Sequence, residues 1–322
     1  MRIKWKWFTG VYLVIIAMMA VATKLLPEYN GRIKLLFTII TIVLPLIAFA
    51  LNINYESKRD MNDAENKLDK NAISRIEDIL TNLKREKISL KFVSSPVEPL
   101  PIGASKYGGQ PDVPDGFEWP IDKDGRPLSL LLQINCTDIA ALDKKNLLPK
   151  SGILYFFYQV SEQPWDNTTN GAHVLYFDVP IADLHKKDYP DNLTQEETIT
   201  ERALQFKVEN SYPSFDDLLR LSQDTQYLID HWDEYTTAFE RLADDYLNDE
   251  AGIGFLLGYA ELIQSSIVDN LENNVLLLQL DSDEENDDGV IFGDCGSIYY
   301  YIPKQDLIDR RFDQPTFELQ CY

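Results

Sequence analysis

One block occurs twice in this chain. Leu130-Leu131-Leu132-Gln133-Ile134-Asn135 returns as Leu276-Leu277-Leu278-Gln279-Leu280-Asp281. A glycine and an aromatic run follow each copy, Gly152-Ile153-Leu154-Tyr155-Phe156-Phe157-Tyr158 and Gly296-Ser297-Ile298-Tyr299-Tyr300-Tyr301-Ile302. The offset is 146 residues at the glutamine and 144 at the glycine, so the two halves run almost in step. Aromatic and β-branched runs of this length read as strands, and the pattern predicts them at 128–135, 152–160, 173–179, 275–281, 289–292 and 297–302. Between the two sets the period changes. Ser214 stands three before Asp217 ahead of Leu218, Leu219 and Leu221, which predicts a capped helix start. Leu228, Trp232, Tyr235, Phe239 and Leu242 share one face of a helix predicted over Thr225 to Leu247. Strands, then helices, then strands predict an α+β fold. The expected architecture is an internal duplication, with two pseudo-symmetric sheet-centred halves joined by helices.

A glutamine after three leucines sits where burial is expected. A buried amide must satisfy its donors and acceptors, so Gln133 and Gln279 either pin nearby loops or face a ligand. The segment Gly108-Gly109-Gln110-Pro111-Asp112-Val113-Pro114 reads as a structured turn leading into the first copy.

The amino-terminal part differs from the rest. Trp7 to Thr23 are seventeen residues without a charge, and Leu35 to Tyr55 are twenty-one. A hydrocarbon core needs about 20 apolar helical residues, with ~17 the lower limit. Two transmembrane helices, about 7–23 and 35–55, are therefore expected as a hairpin in the bilayer. Residues 56–72 read as a linker and 73–322 as the duplicated domain. Ala20-Val21-Ala22 also fits a signal-peptide cleavage site. In either case the body is expected on the cytoplasmic side of the membrane, and three unpaired cysteines (Cys136, Cys295, Cys321) suit a reducing compartment.

Net charge is −22, from 30 basic and 52 acidic residues. Six of the bases and only one of the acids fall in the first 53 residues, so the body carries −27. Such a surface repels phosphate backbones, which argues against nucleic acid, and favours a basic protein partner. The acidic run from Asp281 to Gly289 fails the EF-hand pattern, since its sixth and twelfth positions are Asn286 and Phe292. Asp281, Asp283, Asp287 and Asp288 remain weak metal candidates beside a solvated loop. No HExxH, GxSxG or phosphate-loop motif is present, so no catalytic residue and no cofactor is predicted. Cys295, in Gly293-Asp294-Cys295-Gly296, is expected to be a buried spacer.

Several motifs together resemble the YwqG-like family of bacterial domains of unknown function. In the first half these are Gly108-Gly109-x-Pro111-x-x-Pro114, Trp119-Pro120, Leu131-Leu132-Gln133-Ile134 and Leu148-Pro149-x-x-Gly152. In the second they are Leu257-Gly258-Tyr259-x-x-x-Ile263-Gln264, Leu277-Leu278-Gln279-Leu280-Asp281 and Gly293-Asp294-x-Gly296-x-Ile298-Tyr299-Tyr300. The resemblance spans roughly residues 75 to 322 and implies an internally duplicated fold. Some such proteins are encoded beside toxins, which implies an immunity or protein-binding role. The expected function is a membrane-anchored, cytoplasmic, non-enzymatic protein-binding module. The alternative is a ligand-binding or enzymatic cleft between the halves, lined by Gly108, Gly109, Gln133, Gln279 and Asp294.

Overall fold

The computed structural model describes residues 68–94, 99–247, 252–284, 286 and 289–322. The chain divides into two units, Met1–Asp69 and Lys70–Tyr322, and the second carries the fold described below. Both expected spans, 7–23 and 35–55, lie outside the described residues. Among the described residues no helix is long and apolar enough to cross a membrane.

The second unit opens with α1 (Lys70–Leu83), which buries Ala72, Ile73, Ile76 and Leu80 along one face. It leads into β1 (Arg85–Phe92), then β2 (Lys106–Tyr107), β3 (Asp112–Pro114), β4 (Ser129–Asn135) and the short α2 (Cys136–Ile139). Next come β5 (Ile153–Tyr158), β6 (Ala172–Phe177), β7 (Leu184–Lys186) and β8 (Arg202–Ser211). Helices α3 (Phe215–Leu221), α4 (Thr225–Asp230) and α5 (Trp232–Leu247) precede β9 (Gly254–Leu257), β10 (Asn274–Asp281), β11 (Ser297–Pro303), α6 (Lys304–Ile308) and β12 (Thr316–Gln320).

This arrangement corrects the expected fold class. The strands form one ten-stranded sheet in the order β12-β11-β10-β9-β1-β8-β2-β4-β5-β6, with only β3 and β7 apart as a two-stranded ribbon. Every pairing is antiparallel. The two repeat-bearing regions are wings of a single sheet rather than halves joined by helices. What joins them is β1, which pairs with β8 on one side and β9 on the other. Two smaller expectations also change. Residues 289–292 form no strand. The helix expected over 225–247 breaks at His231, whose φ of −122° and ψ of 44° end α4.

The sheet curls so that the inner faces of its wings meet. Phe156 and Tyr300 stack edge-to-face at 5.5 Å, and the Tyr300 hydroxyl donates to the Phe157 carbonyl at 3.0 Å. A bridge between Asp166 and Glu318, with Leu319 N donating to Trp165 O at 2.9 Å, ties β12 to the segment beyond β5. The result approaches a closed barrel, with β12 and β6 as its end strands.

The triple leucine now has a physical cause. The register of β4 on β5 shifts between Leu130 and Leu132, and that of β10 on β11 shifts between Leu276 and Leu278. A bulge of this kind puts two successive side chains on one face. Leu131 and Leu132 therefore both enter the core between the wings, as do Leu277 and Leu278. Leu130 and Leu276 pack on the outer faces instead, each in a separate cluster. Beyond the bulge the alternation resumes, and it delivers Gln133 and Gln279 to those outer faces.

Candidate functional site

The two glutamines hold matching positions, β-paired with Tyr155 and Tyr299. Gln133 Oε1 accepts from Asp112 N at 2.7 Å, and Gln279 Oε1 accepts from Glu261 N at 2.8 Å. The Tyr155 hydroxyl donates to Asp112 O, and the Tyr299 hydroxyl to Glu261 O. In each wing the amide thus fixes an acidic residue on the segment that crosses the outer face.

The surroundings then diverge. In the first wing Gln133 Nε2 donates to Asp112 Oδ2 and Ala104 O, both at 2.9 Å. Lys106 lies beneath at 1% exposure, 2.8 Å from Glu201 and 3.5 Å from Asp112. Gly108 and Gly109 turn the chain above this cluster through N–H bonds to Leu131 O and Ile199 O. Phe117 and Trp119 seal the rest of that face. This wing is closed.

The second wing is open. A groove of about 790 Å³ runs between α5 and the outer face of β10 and β11. One wall is aromatic. Trp232, half exposed, meets Phe215 edge-on at 4.4 Å, and Phe215 meets Tyr235 at 4.8 Å. Phe239 continues this wall. Glu240 follows Phe239 on α5, the other wall carries Glu261, Asp281 and Glu284, and among the described lining residues there is no lysine or arginine. Gln279 Nε2 donates to Asp281 Oδ1 at 2.8 Å, and Ser297 Oγ donates to the same oxygen at 2.6 Å. Burial raises the Asp281 carboxyl above its ordinary value, and these two bonds only partly offset it. Lys87, almost buried, reaches Glu261 at 2.7 Å, but the Glu261 side chain remains 58% exposed.

The expected site residues are therefore dispersed. Gln133, Gly108 and Gly109 belong to the closed face of the first wing, and Gln279 to the groove. Asp294 lies in an exposed turn. Of the weak metal candidates, Asp281 is engaged by Gln279 and Ser297. Asp283 is buried, 2.6 Å from Arg202, and accepts from Asn286. Asp287 and Asp288 lie outside the described residues. Among the described residues no cluster of three or more metal-ligating side chains is assembled. Cys295 is exposed rather than buried, and lines the groove. Loss of solvent and the Glu284 carboxylate hold its thiol above the ordinary value, the wrong direction for a nucleophile.

Residues 105–321 match the family described as a domain of unknown function, DUF1963. The chain belongs to that family. No curated protein matches it. The DUF1963 match starts one residue before Lys106 and includes both glutamines, so the closed face and the groove are both parts of the family domain. Sequence reasoning missed the groove because the stripe Trp232, Tyr235, Phe239 looks the same on a buried helix and on one lining a cleft. Glu261 falls at an unspecified position of its motif and gave no signal.

Proposed function

We propose that the groove of the second wing receives a cationic, partly apolar segment of another protein, which makes the chain a non-enzymatic protein-binding module. The observation that carries this reading is the lining: aromatic rings along one wall, with Glu240 beside them, three carboxylates (Glu261, Asp281 and Glu284) across the groove, and no lysine or arginine among the described lining residues. A guanidinium or ammonium stem lies well against rings while its head meets carboxylates, and such cation–π contacts reach about 2 kcal/mol when desolvated. The acidic body adds long-range attraction for a basic partner. Within DUF1963 we read the chain as YwqG-like, on the paired motifs around Gln133 and Gln279. That resemblance favours a toxin domain bearing a basic segment as the partner, with the chain acting as its immunity protein.

Calorimetric titration of the full chain with a short oligoarginine peptide tests this. Binding is expected at low salt and is expected to weaken as salt rises. Trp232→Ala should cost roughly 2 kcal/mol of affinity, the scale of a buried aromatic anchor. No binding at low salt, or equal binding by Trp232→Ala, would sink the proposal.

The pH dependence has a definite sign. Burial holds the Asp281 carboxyl above its ordinary value. A bound cation favours its ionised form, so binding releases protons near the raised value. Affinity should fall as pH drops through the raised value, and Asp281→Asn should flatten the response. Calorimetry in buffers of different ionisation heat reads the proton release directly.

A further inference from the structure

We propose that a second, basic pocket at one end of the seam between the wings binds a compact phosphate-class anion. The pocket is distinct from the groove and measures about 160 Å³. A pocket of that size accommodates several water molecules, room enough for a phosphate or pyrophosphate group. Its walls come from three parts of the fold: Arg85 on β1, Lys144 and Lys145 after α2, and Lys304 at the start of α6. Four cations converge there on a body whose net charge is −27.

Three acids share the lining, Glu86, Asp143 and the exposed Glu272, and leave an excess of one positive charge. Glu86 pairs with Lys144 at 2.6 Å. Asp143 is buried and turned inward, accepting from Leu148 N at 2.7 Å. Arg85 is held in place, stacked 4.1 Å over the Tyr259 ring and donating to Leu271 O at 3.1 Å. A guanidinium has five N–H donors, so further ones remain for a ligand. Lys145 and Lys304 have no ion-pair partner among the described residues, and both are exposed. A fixed guanidinium flanked by two adaptable ammonium groups is suited to a multiply charged oxyanion. The surrounding acidic surface repels extended polyanions and leaves small, dense charge as the ligand that gains most at short range.

The test uses the full chain with inorganic pyrophosphate as the probe, read by calorimetry and thermal melting, against sodium chloride at equal ionic strength. Pyrophosphate, and not chloride, is expected to raise the melting temperature. The double variant Lys145→Gln/Lys304→Gln should keep the ligand-free melting temperature, since both side chains are exposed, and should bind about tenfold more weakly. Lys150→Gln, at an exposed lysine outside the pocket, should bind as the wild type does. Sedimentation with phosphatidylglycerol vesicles, against phosphatidylcholine vesicles, separates a lipid headgroup from a free phosphate. Loss of either free-anion or anionic-vesicle binding in the double variant alone supports the pocket. Binding to neither probe, or equal binding by wild type and double variant, overturns it.

Discussion

Lys106→Met is expected to lower the unfolding free energy of the chain by about 3–5 kcal/mol, the range found when one member of a buried charge cluster is removed. The lysine is 1% exposed, as is Asp112. Its ammonium donates to Gln110 O at 2.6 Å and Glu201 at 2.8 Å and lies 3.5 Å from Asp112. Methionine fills a similar volume, leaves Asp112 without its cation and leaves Glu201 with Lys186 alone, 3.2 Å away. Asp112 Oδ2 still accepts from Gly103 N and Gln133 Nε2, whereas Oδ1 has no partner at all. Lys87 of the second wing is the internal comparison. Its partner Glu261 is 58% exposed and regains water when the lysine is lost, so Lys87→Met should cost only about 1 kcal/mol. Urea unfolding of the two variants reads the contrast, and equal losses would refute it.

The same variant carries a pH signature. Bonds from Lys106 and Lys186 hold the Glu201 carboxyl below its ordinary 4.5, against the opposing effect of burial. A depressed carboxylate contributes stability that is present above its unfolded value and lost as pH falls through the folded one. The deficit of Lys106→Met should therefore be full at neutral pH and shrink in acid, as the Glu201 carboxylate takes up its proton. A deficit independent of pH would mean that packing, not charge, set the cost.

The strands of the two repeats were legible in the sequence, the way they assemble was not, and the failures have physical causes. The Leu-Leu-Leu-Gln blocks announced two equivalent strands because their apolar density survives any register. The bulge that buries three leucines in a row did not announce itself, since the shift depends on the partner strand. The larger error was to place helices between two sheets. β1 and β8 fuse the wings, and both are rich in charge, with Arg85, Glu86, Lys87 and Lys91 in one and Arg202, Lys207 and Glu209 in the other. They are central strands that look like surface ones. Lys87 is nevertheless buried, because its ammonium finds Glu261 and the face of Phe255 at 4.1 Å. The acidic run after Asp281 read as one solvated loop, but its first residue belongs to the groove and Asp283 is locked to Arg202. Charge count alone does not separate those fates.

The glycine after each copy leads to the second large effect, in Gly152→Ala and Gly296→Ala. A Cβ at Gly152 would lie 2.4 Å from Phe177 O, and one at Gly296 would lie 2.1 Å from Gln320 O. In each wing the obstacle is the last carbonyl of the outermost strand, β6 or β12, so no flexible side chain can yield. Gly152 has the added constraint of a φ of +80°, which L residues rarely adopt. Each alanine should cost about 3 kcal/mol, from backbone strain and overpacking at a strand end. Gly125 provides the control. Its φ is +80° as well, but nothing lies within 4 Å of its Cβ, so Gly125→Ala should lose only the smaller conformational part, about 1 kcal/mol. The consequences of the two repeat glycines should then part. Gly296 borders the groove, so Gly296→Ala should also impair oligoarginine binding in the fraction that stays folded. Gly152→Ala, in the closed wing, should lose stability and leave the affinity of the folded fraction unchanged. Equal affinities in the two variants would detach the groove from binding without touching the stability argument.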